Sequence, residues 1–479
     1  MATTLLLQMS PIGMVVALIL AFRRPPVQAA LIGVALVLLL WGLGVAAPLS
    51  RAVALAIATD TGVLFLSTAG VIVPGLAFVI LVEKQGAPQA IGAWVKELGW
   101  PPAAQVIFIV LGLAPLLEAM TGFGVSLIAT VPLLMGLFSR QLGLRIALSG
   151  MVIMPWGTLG LATLIGALLA AQPSEVLASH SALISAPVFL VLAAIALWLA
   201  GIRTLGPWLA LFVVTALFVA VLYMTSRWTG PEIAGVMAGL AVSCVGLVFS
   251  FLNTRRLVAW PGAAWPYLAL LAIIVALRGL FLATGWDGYW EINGDSVAWK
   301  PLASPGVALA LVALMMSIRQ REQAELHVKF PWSQLFARAK RPVATILFFL
   351  LMSQIMVKAG FLLQAQQGLQ SLTGIALGPM VAAIAGIAGY VTGSNVGGNT
   401  LIMPSIAGLE TTQGPWLAAM VNSAAGHGAL GSLSILSLIT GLAAASREEE
   451  HSLIRFAFGL VVLSIVIVAA AGSILLYMS

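Results

Sequence analysis

The sequence predicts an all-α polytopic membrane protein, with about 12 transmembrane helices plus two re-entrant hairpins in two inverted-topology repeats. Composition excludes a water-soluble fold, because 61% of the 479 residues are apolar and only 8% are charged, whereas about a quarter of a soluble domain is charged. The apolar residues form long runs and do not alternate with polar ones, as they would in an outer-membrane barrel. Two Gly-rich interruptions, one in each half of the chain, indicate where helices break.

Each transmembrane helix requires about 20 mostly apolar residues. The first such run ends just before Arg23 and has no small-residue cleavage pattern, so we interpret it as a transmembrane helix and not as a signal peptide. The predicted spans are residues 4–21, 27–46, 62–84, 146–170, 181–200, 206–224, 232–253, 264–284, 303–318, 343–364, 416–443 and 452–478.

Two further apolar segments are interrupted in the middle by glycine and hydroxyl residues. Residues 103–138 break at Glu118–Gly124, and residues 375–408 break at Thr392–Asn399. Each half is too short for a comfortable crossing, so both segments are predicted to be re-entrant hairpins with tips at membrane depth. Irregular backbone at that depth is tolerated only where it is buried in protein or lines a cavity.

The charged residues predict the orientation of the chain. Basic residues concentrate in alternate loops, and the positive-inside rule places those loops in the cytoplasm if both hairpins return to the side they entered from. The protein is then a multi-pass protein of the cell (inner) membrane with both termini outside the cytoplasm. The net charge of +7 reflects this topology, and we expect no nucleic-acid partner. The residues assigned to the cytoplasm are Arg23, Arg24, Arg140, Arg145, Arg203, Arg255, Arg256, Arg319 to Arg341 and Arg447.

An internal repeat accounts for the two interruptions. The shift that places Thr121 on Thr392 also places Gly157 on Gly428, and it pairs hairpin with hairpin and following span with following span. On the loop charges, equivalent spans cross the membrane in opposite directions, so the repeats are inverted. The predicted units are residues 1–205 (first repeat), 206–260 (connector helices) and 261–479 (second repeat).

The helix breaks are the predicted binding site. A break exposes N–H groups at the start of the following helix, and together with the helix dipole these suit a carboxylate. The span after each hairpin is predicted to be broken as well, at Pro155 and around His427. Structural kinks or small-residue helix packing are the alternative. The predicted substrate-binding residues are Thr121, Gly122, Phe123, Gly124, Trp156, Thr158, Thr392, Gly393, Ser394, Asn395, Asn399, Gly426, His427 and Gly428.

Two ionisable residues at membrane depth, Glu118 and His427, are the candidates for proton coupling. The alternative for Glu118 is a carboxylate that caps the N–H groups of its own tip, and the alternative for His427 is a histidine that is merely hydrogen-bonded. Zinc-protease and hydrolase-elbow motifs do not occur in the sequence. We therefore expect no enzymatic activity, no bound metal and no cofactor.

The segment Leu117–Gly124, together with Thr392-Gly393-Ser394 and Asn399, resembles the paired signature of the L-lactate permease family. In that family the first hairpin reads roughly Glu-Gly-Ala-Ala-Gly-Phe-Gly and the second Thr-Gly-Ser-Asp-Thr-Ser-Ser-Asn. The resemblance extends from about residue 63 to residue 442, and it implies a proton-coupled carrier of lactate, glycolate or related 2-hydroxymonocarboxylates. Asn395 stands where the family has Asp, so the identity of the carboxylate stays open.

The expected function is therefore secondary active transport of a small organic anion by alternating access, with the substrate between the two hairpin tips. The expected coupling ion is the proton, with sodium as the alternative. A passive anion channel and a sodium-coupled carrier of another carboxylate or sulfonate remain the competing functions. The expected partners are the anion, the lipid bilayer and, in a homodimer, a second copy of the chain.

Overall fold

The computed structural model describes residues 2–48, 50–122, 124–323, 330–371, 376–407 and 413–478. Nearly all of this chain is helical, and its only strands are the short antiparallel pair β1 (Ile292–Asn293) and β2 (Ala298–Trp299). Nine of the described helices are long and apolar enough to cross a membrane, and one bent pair forms a tenth candidate span. The predicted all-α polytopic membrane class is thus confirmed.

Proline at the first or second position begins several of the helices, where its fixed φ is suited and its missing N–H costs nothing. Helices α5 and α6 are joined by a π-helical turn, Ile109–Leu113, into one continuous 20-residue segment. The helices before the central loop are α1 (Ala2–Leu20), α2 (Pro26–Gly42), α3 (Arg51–Lys84), α4 (Ala87–Glu97), α5 (Pro102–Phe108), α6 (Ala114–Thr121), α7 (Val125–Leu137), α8 (Arg140–Ser149), α9 (Gly157–Leu169), α10 (Ser174–Leu199), α11 (Leu205–Thr229) and α12 (Pro231–Thr254).

The second half of the chain repeats much of this order. A long helix is followed by a short one, a pair of helices separated by a break, a divided span and a final long helix. These helices are α13 (Trp265–Thr284), α14 (Pro305–Gln323), α15 (Trp332–Lys358), α16 (Leu363–Ser371), α17 (Leu377–Thr392), α18 (Asn395–Ala407), α19 (Gly414–Ala429), α20 (Leu433–Leu442) and α21 (Arg447–Met478).

All twelve predicted spans overlap helices, but the described helices at spans 4–21, 27–46 and 303–318 are shorter than the nine that are long and apolar enough to cross a membrane. The two interrupted segments also differ in detail from the prediction. The helix before the first break extends over Pro102–Thr121 and is long enough to cross a membrane, so the expectation that this half is too short is wrong. The helix continues to Thr121, and the break begins only at Gly122. The hydroxyl of Thr121 donates to the carbonyl of Leu117, one turn earlier in the same helix, at 2.6 Å. The second break is only two residues wide, because Asn395–Asn399 already belong to α18.

The helices pack in two groups that meet at the breaks. In one group α3 packs against α14 and α15, and α15 packs against α2. In the other group α17 and α18 pack against α19, which also contacts α10 and α21. The groups touch where α18 meets α15 and where α9 meets α3. The connector helix α12 packs against α6 and α9, so both broken elements of the first half are buried on several sides.

Candidate functional site

At the first break, the chain itself supplies a carboxylate to the start of the next helix. The carboxylate of Glu118 accepts a hydrogen bond from the backbone N–H of Gly124 at 3.0 Å and from the hydroxyl of Ser126 at 2.7 Å. Glu118 is 1% exposed, and a carboxylate can accept both of these hydrogen bonds. It therefore caps α7, where the helix dipole favours a negative charge.

Gly122 makes the sharp reversal between α6 and α7. Its φ of +67° and ψ of −166° lie in a region that only glycine adopts without strain, and a side chain here would collide with Thr158. Gly122 is therefore the point at which the first break packs against the broken span that follows it. Phe123, a predicted site residue, lies outside the described residues.

At the second break, the cap of the following helix is a neutral hydroxyl. Gly393 has a left-handed backbone, with φ of +67° and ψ of 20°, and the hydroxyl of Thr392 lies 2.8 Å from the carbonyl of Ala388, to which it donates. The hydroxyl of Ser394 accepts from the N–H of Gly397 at 3.4 Å. The remaining N–H groups of the first turn of α18 have no carbonyl partner within their own helix, and no charged side chain of the break occupies them.

The span after the first break is strongly distorted. Its two halves, Arg140–Ser149 and Met154–Leu169, are bent by 61°, and Thr158, Leu159 and Gly160 all have positive φ. A left-handed conformation costs about 1–2 kcal/mol for each non-glycine residue, so surrounding packing must hold this stretch. The equivalent span of the second half is interrupted between α19 and α20, at residues 430–432.

One cavity of about 410 Å³ brings the two breaks and the distorted span together. This volume is within the range of small-molecule sites. Its wall is largely apolar, with several polar groups at the breaks, and its lining also includes Pro25, Pro26 and Arg341. The predicted site residues that line it are Gly122, Thr158, Thr392, Gly393, Ser394 and Asn395, together with Glu118.

The other predicted site residues lie behind the wall of this cavity. Trp156 donates from Nε1 to the hydroxyl of Ser226 at 3.2 Å, and His427 Nε2 lies 3.0 Å from the hydroxyl of Ser185. Both side chains are fully buried. Trp156 contacts Phe189 of α10 and Ser226 of α11, and His427 contacts Ser185 and Phe189 of α10. The residues that do not line the cavity are Thr121, Gly124, Trp156, Asn399, Gly426, His427 and Gly428.

A second cavity of about 250 Å³ lies farther along α9, toward its C-terminal end, where Leu164, Ile165 and Leu168 line it. Its polar lining includes Glu232, Glu291 and Lys300. Leu161 lines both cavities, and the neighbouring α3 residues Val71 and Ile72 line one cavity each. A thin apolar layer thus separates two polar spaces.

The sequence interpretation missed a buried acid in α3. Asp60 is fully buried and accepts from the backbone N–H groups of Asp295 and Ser296, at 2.6 and 3.0 Å. Lys358 Nζ lies 2.9 Å from Asp60 and 2.6 Å from Asp295. We refer to these four residues as the Asp60 cluster. The signal in the sequence was an aspartate within an apolar run, two residues before the predicted span 62–84.

The described residues contain no group of three or more His, Cys, Asp or Glu side chains that could hold a metal ion. The polar groups of the large cavity are hydroxyls, amides, one carboxylate and one guanidinium, which suit the binding of a small polar molecule. Comparison with protein-family models and with curated proteins finds no match to this chain. Functional conclusions therefore depend on the geometry of the site.

Proposed function

We propose that this protein is a secondary active transporter of a small organic anion, of the lactate or glycolate type, held between the tips of two re-entrant hairpins. The observation that carries the proposal is the single cavity lined by both helix breaks and by the distorted span. Paired broken helices of this kind mark the binding sites of alternating-access carriers built from inverted repeats.

The packing of the helices supports the inverted repeats. The helix after each break packs against the second half of the broken span in the other repeat, because α7 contacts α20 and α18 contacts α9. The long helix before each break also pairs across the repeats, with α3 against α14 and α15 against α2. A pseudo-two-fold axis between the breaks would relate both sets of contacts.

Ion pairs support the proposed topology, since each joins residues assigned to the same side. Arg140 contacts Glu449 at 2.7 Å and Arg338 contacts Glu83 at 2.8 Å, and all four belong to the side assigned to the cytoplasm. The Asp60 cluster belongs to the outside. The large cavity, whose lining includes Arg341, would then face the cytoplasm, and the second cavity would face outward.

Alternating access follows from these two cavities. In the described conformation, the apolar layer at Leu161 lies between the site and the outward cavity. Movement of the group that carries the breaks, relative to the group of α2, α3, α14 and α15, would transfer the site from one cavity to the other. We propose this motion as the transport step.

The charge pattern favours one orientation of the substrate. Its carboxylate lies at the start of α18, where the N–H groups and the hydroxyl of Ser394 donate and the helix dipole is positive. Its hydroxyl faces Thr158 and the amide of Asn395, both of which line the cavity. The carboxylate of Glu118 repels the substrate's carboxylate from the first break, so the substrate's carboxylate points toward the second break.

Proton coupling is the mode that the family resemblance implies, and Glu118 is its proposed site. Protonation of this carboxylate would remove one of its two acceptor positions and weaken its bonds to Gly124 and Ser126. The first break would then change its structure with the protonation state. His427 remains a prediction for this role, but it lies outside the cavity.

Uptake of radiolabelled L-lactate and glycolate into proteoliposomes tests the function. Accumulation against a concentration gradient, with an inward proton gradient and no membrane potential, is expected for the carrier. Ser394→Ala should raise the KM about tenfold, as loss of a charge-assisted hydrogen bond predicts, whereas the control Ser437→Ala, on the exposed face of α20, should not. Uptake that only equilibrates the substrate would identify a channel and overturn the proposal.

A further inference from the structure

A fully buried network of asparagine side chains lies directly behind the second break. Asn422 of α19 is its centre, and its side-chain oxygen accepts from the amides of Asn395, at 3.3 Å, and Asn399, at 2.9 Å. Its own amide nitrogen donates to the hydroxyls of Thr163 and Ser181, each at 3.0 Å. The network thus connects the second break to the distorted span and to α10.

The orientation of each amide follows from one backbone carbonyl. The carbonyl of Pro155 can only accept, so the hydroxyl of Thr163, at 2.7 Å, must donate to it. Thr163 is then an acceptor for Asn422, which must present its nitrogen there and its oxygen to α18. Asn399 must therefore present its nitrogen to Asn422, and the same nitrogen also donates to the carbonyl of Ala162 at 2.9 Å.

This chain of donors leaves two oxygens without a partner. The side-chain oxygens of Asn395 and Asn399 are buried and receive no hydrogen bond from the described chain, and the two residues are only 3% and 0% exposed. Rotating either amide would not help, because its oxygen would then face the oxygen of Asn422, which is itself an acceptor. Unpartnered buried carbonyl oxygens are costly, so the network is complete only when a cation or a hydrogen-bond donor binds these two oxygens.

We propose that the oxygens of Asn395 and Asn399 form part of a binding site for Na⁺, one helical turn behind the anion site. The ligands are neutral oxygens beside irregular backbone, which is the environment in which carriers and channels hold alkali cations. A divalent ion would require carboxylates, and the network contains none. Amide oxygens also cannot take up a proton at physiological pH, so the site is distinct from Glu118.

The position of this site explains how the ion and the anion would be coupled. Asn395 lines the large cavity while Asn399 lies behind it on the same face of α18. One bound Na⁺ beside one monocarboxylate would cancel the substrate's charge at the level where both must cross an apolar layer. The coupling role rests on the proposed function, but ion binding can be measured without transport.

The test uses the purified protein and the ion alone. We expect saturable binding of ²²Na⁺, and a midpoint of thermal unfolding about 2 to 4 °C higher in NaCl than in choline chloride of equal ionic strength. Asn399→Ala should weaken Na⁺ binding at least about tenfold. Asn395→Ala tests the same site at less risk to the fold, because its amide makes only one long bond. Asn293→Ala, on β1 and outside the network, should bind as the unmodified protein does.

Identical unfolding in both salts without saturable ²²Na⁺ binding would overturn the site, and would indicate that water completes the network. Na⁺ binding that survives both substitutions would overturn it as well. If L-lactate accumulates in choline medium while no Na⁺ binds, the transport proposal stands and the sodium site falls. If Na⁺ binds as expected but no carboxylate is accumulated, the sodium site stands and the proposed function falls.

Discussion

The two helix breaks have a common sequence signature, but they differ in what occupies the start of the helix that follows. At the first break the buried carboxylate of Glu118 accepts from Gly124 and Ser126. At the second break a hydroxyl, that of Ser394, caps α18 through one long bond. The first helix start is neutralised by the protein, and the second is left with its positive dipole facing the cavity.

This difference assigns different roles to two elements that sequence symmetry treats as equal. A helix start carries roughly half a positive charge, so one that already holds a carboxylate would place a second carboxylate beside a like charge. The second break can receive an anion without that repulsion. We infer that the second break binds the substrate's carboxylate and that the first break positions the substrate and responds to protonation.

The largest expected effect is that of Gly122→Ala. Its backbone conformation is essentially restricted to glycine, and the added methyl group would meet Thr158. Strain and overpacking together should cost roughly 2 to 5 kcal/mol, enough to abolish uptake and lower the unfolding temperature.

The matched control is Gly393→Ala at the second break. Its left-handed backbone is open to other residues at about 1–2 kcal/mol, and the nearest obstacle is the hydroxyl of Ser434, which can rotate away. Thermal unfolding in detergent and proteoliposome uptake should both separate the two variants. Equal losses at the two positions would contradict the asymmetry of the breaks.

The sequence predicted the features that local chemistry controls. Apolar runs predicted the membrane class and the positions of the long apolar helices, and the glycines predicted both breaks because only glycine adopts the backbone at Gly122 cheaply. Pro155 likewise indicated the distorted span. In each case the signal and the structure it predicts lie within a few residues of each other.

The partners of buried polar groups could not be predicted in this way. Asp60 and Asp295 meet across a sequence separation of 235 residues, and the asparagine network joins four separate helices, α9, α10, α18 and α19. The sequence left open whether Glu118 caps its own tip, because the answer depends on how closely α7 returns to α6. Repeat symmetry also made Trp156 and His427 equivalent but could not indicate that Trp156 contacts α10 and α11 and that His427 contacts α10.

A smaller pair of effects should separate stability from binding at the two breaks. Glu118→Gln keeps the size of the side chain but removes its charge, and loss of charge-assisted bonds should cost about 1.5–3 kcal/mol of stability. Proton-driven accumulation should disappear, while exchange of L-lactate for L-lactate continues. Ser394→Ala should lose less stability, about 1 kcal/mol, because it removes only a helix cap. It should instead weaken substrate binding and so have a much higher KM.

Thermal unfolding and KM, measured on both variants, would test whether Glu118→Gln mainly affects stability and Ser394→Ala mainly affects substrate binding. A Glu118→Gln variant that keeps full proton-driven accumulation would remove Glu118 from the coupling role, and the carboxylate would then serve only as a cap. A Ser394→Ala variant with an unchanged KM would place the anion elsewhere in the cavity.

The smallest expected effect is that of His427→Gln, which tests whether the asymmetry extends beyond the breaks. Repeat symmetry predicts a binding role for His427, but the side chain is fully buried against Ser185 and Phe189 and does not line the cavity. Glutamine can keep a hydrogen bond to Ser185, so uptake should change less than about threefold, equivalent to under 1 kcal/mol. Loss of proton-driven accumulation with intact exchange would instead make His427 the coupling residue. The second half of the chain would then bind the substrate at its break and the proton on its broken span.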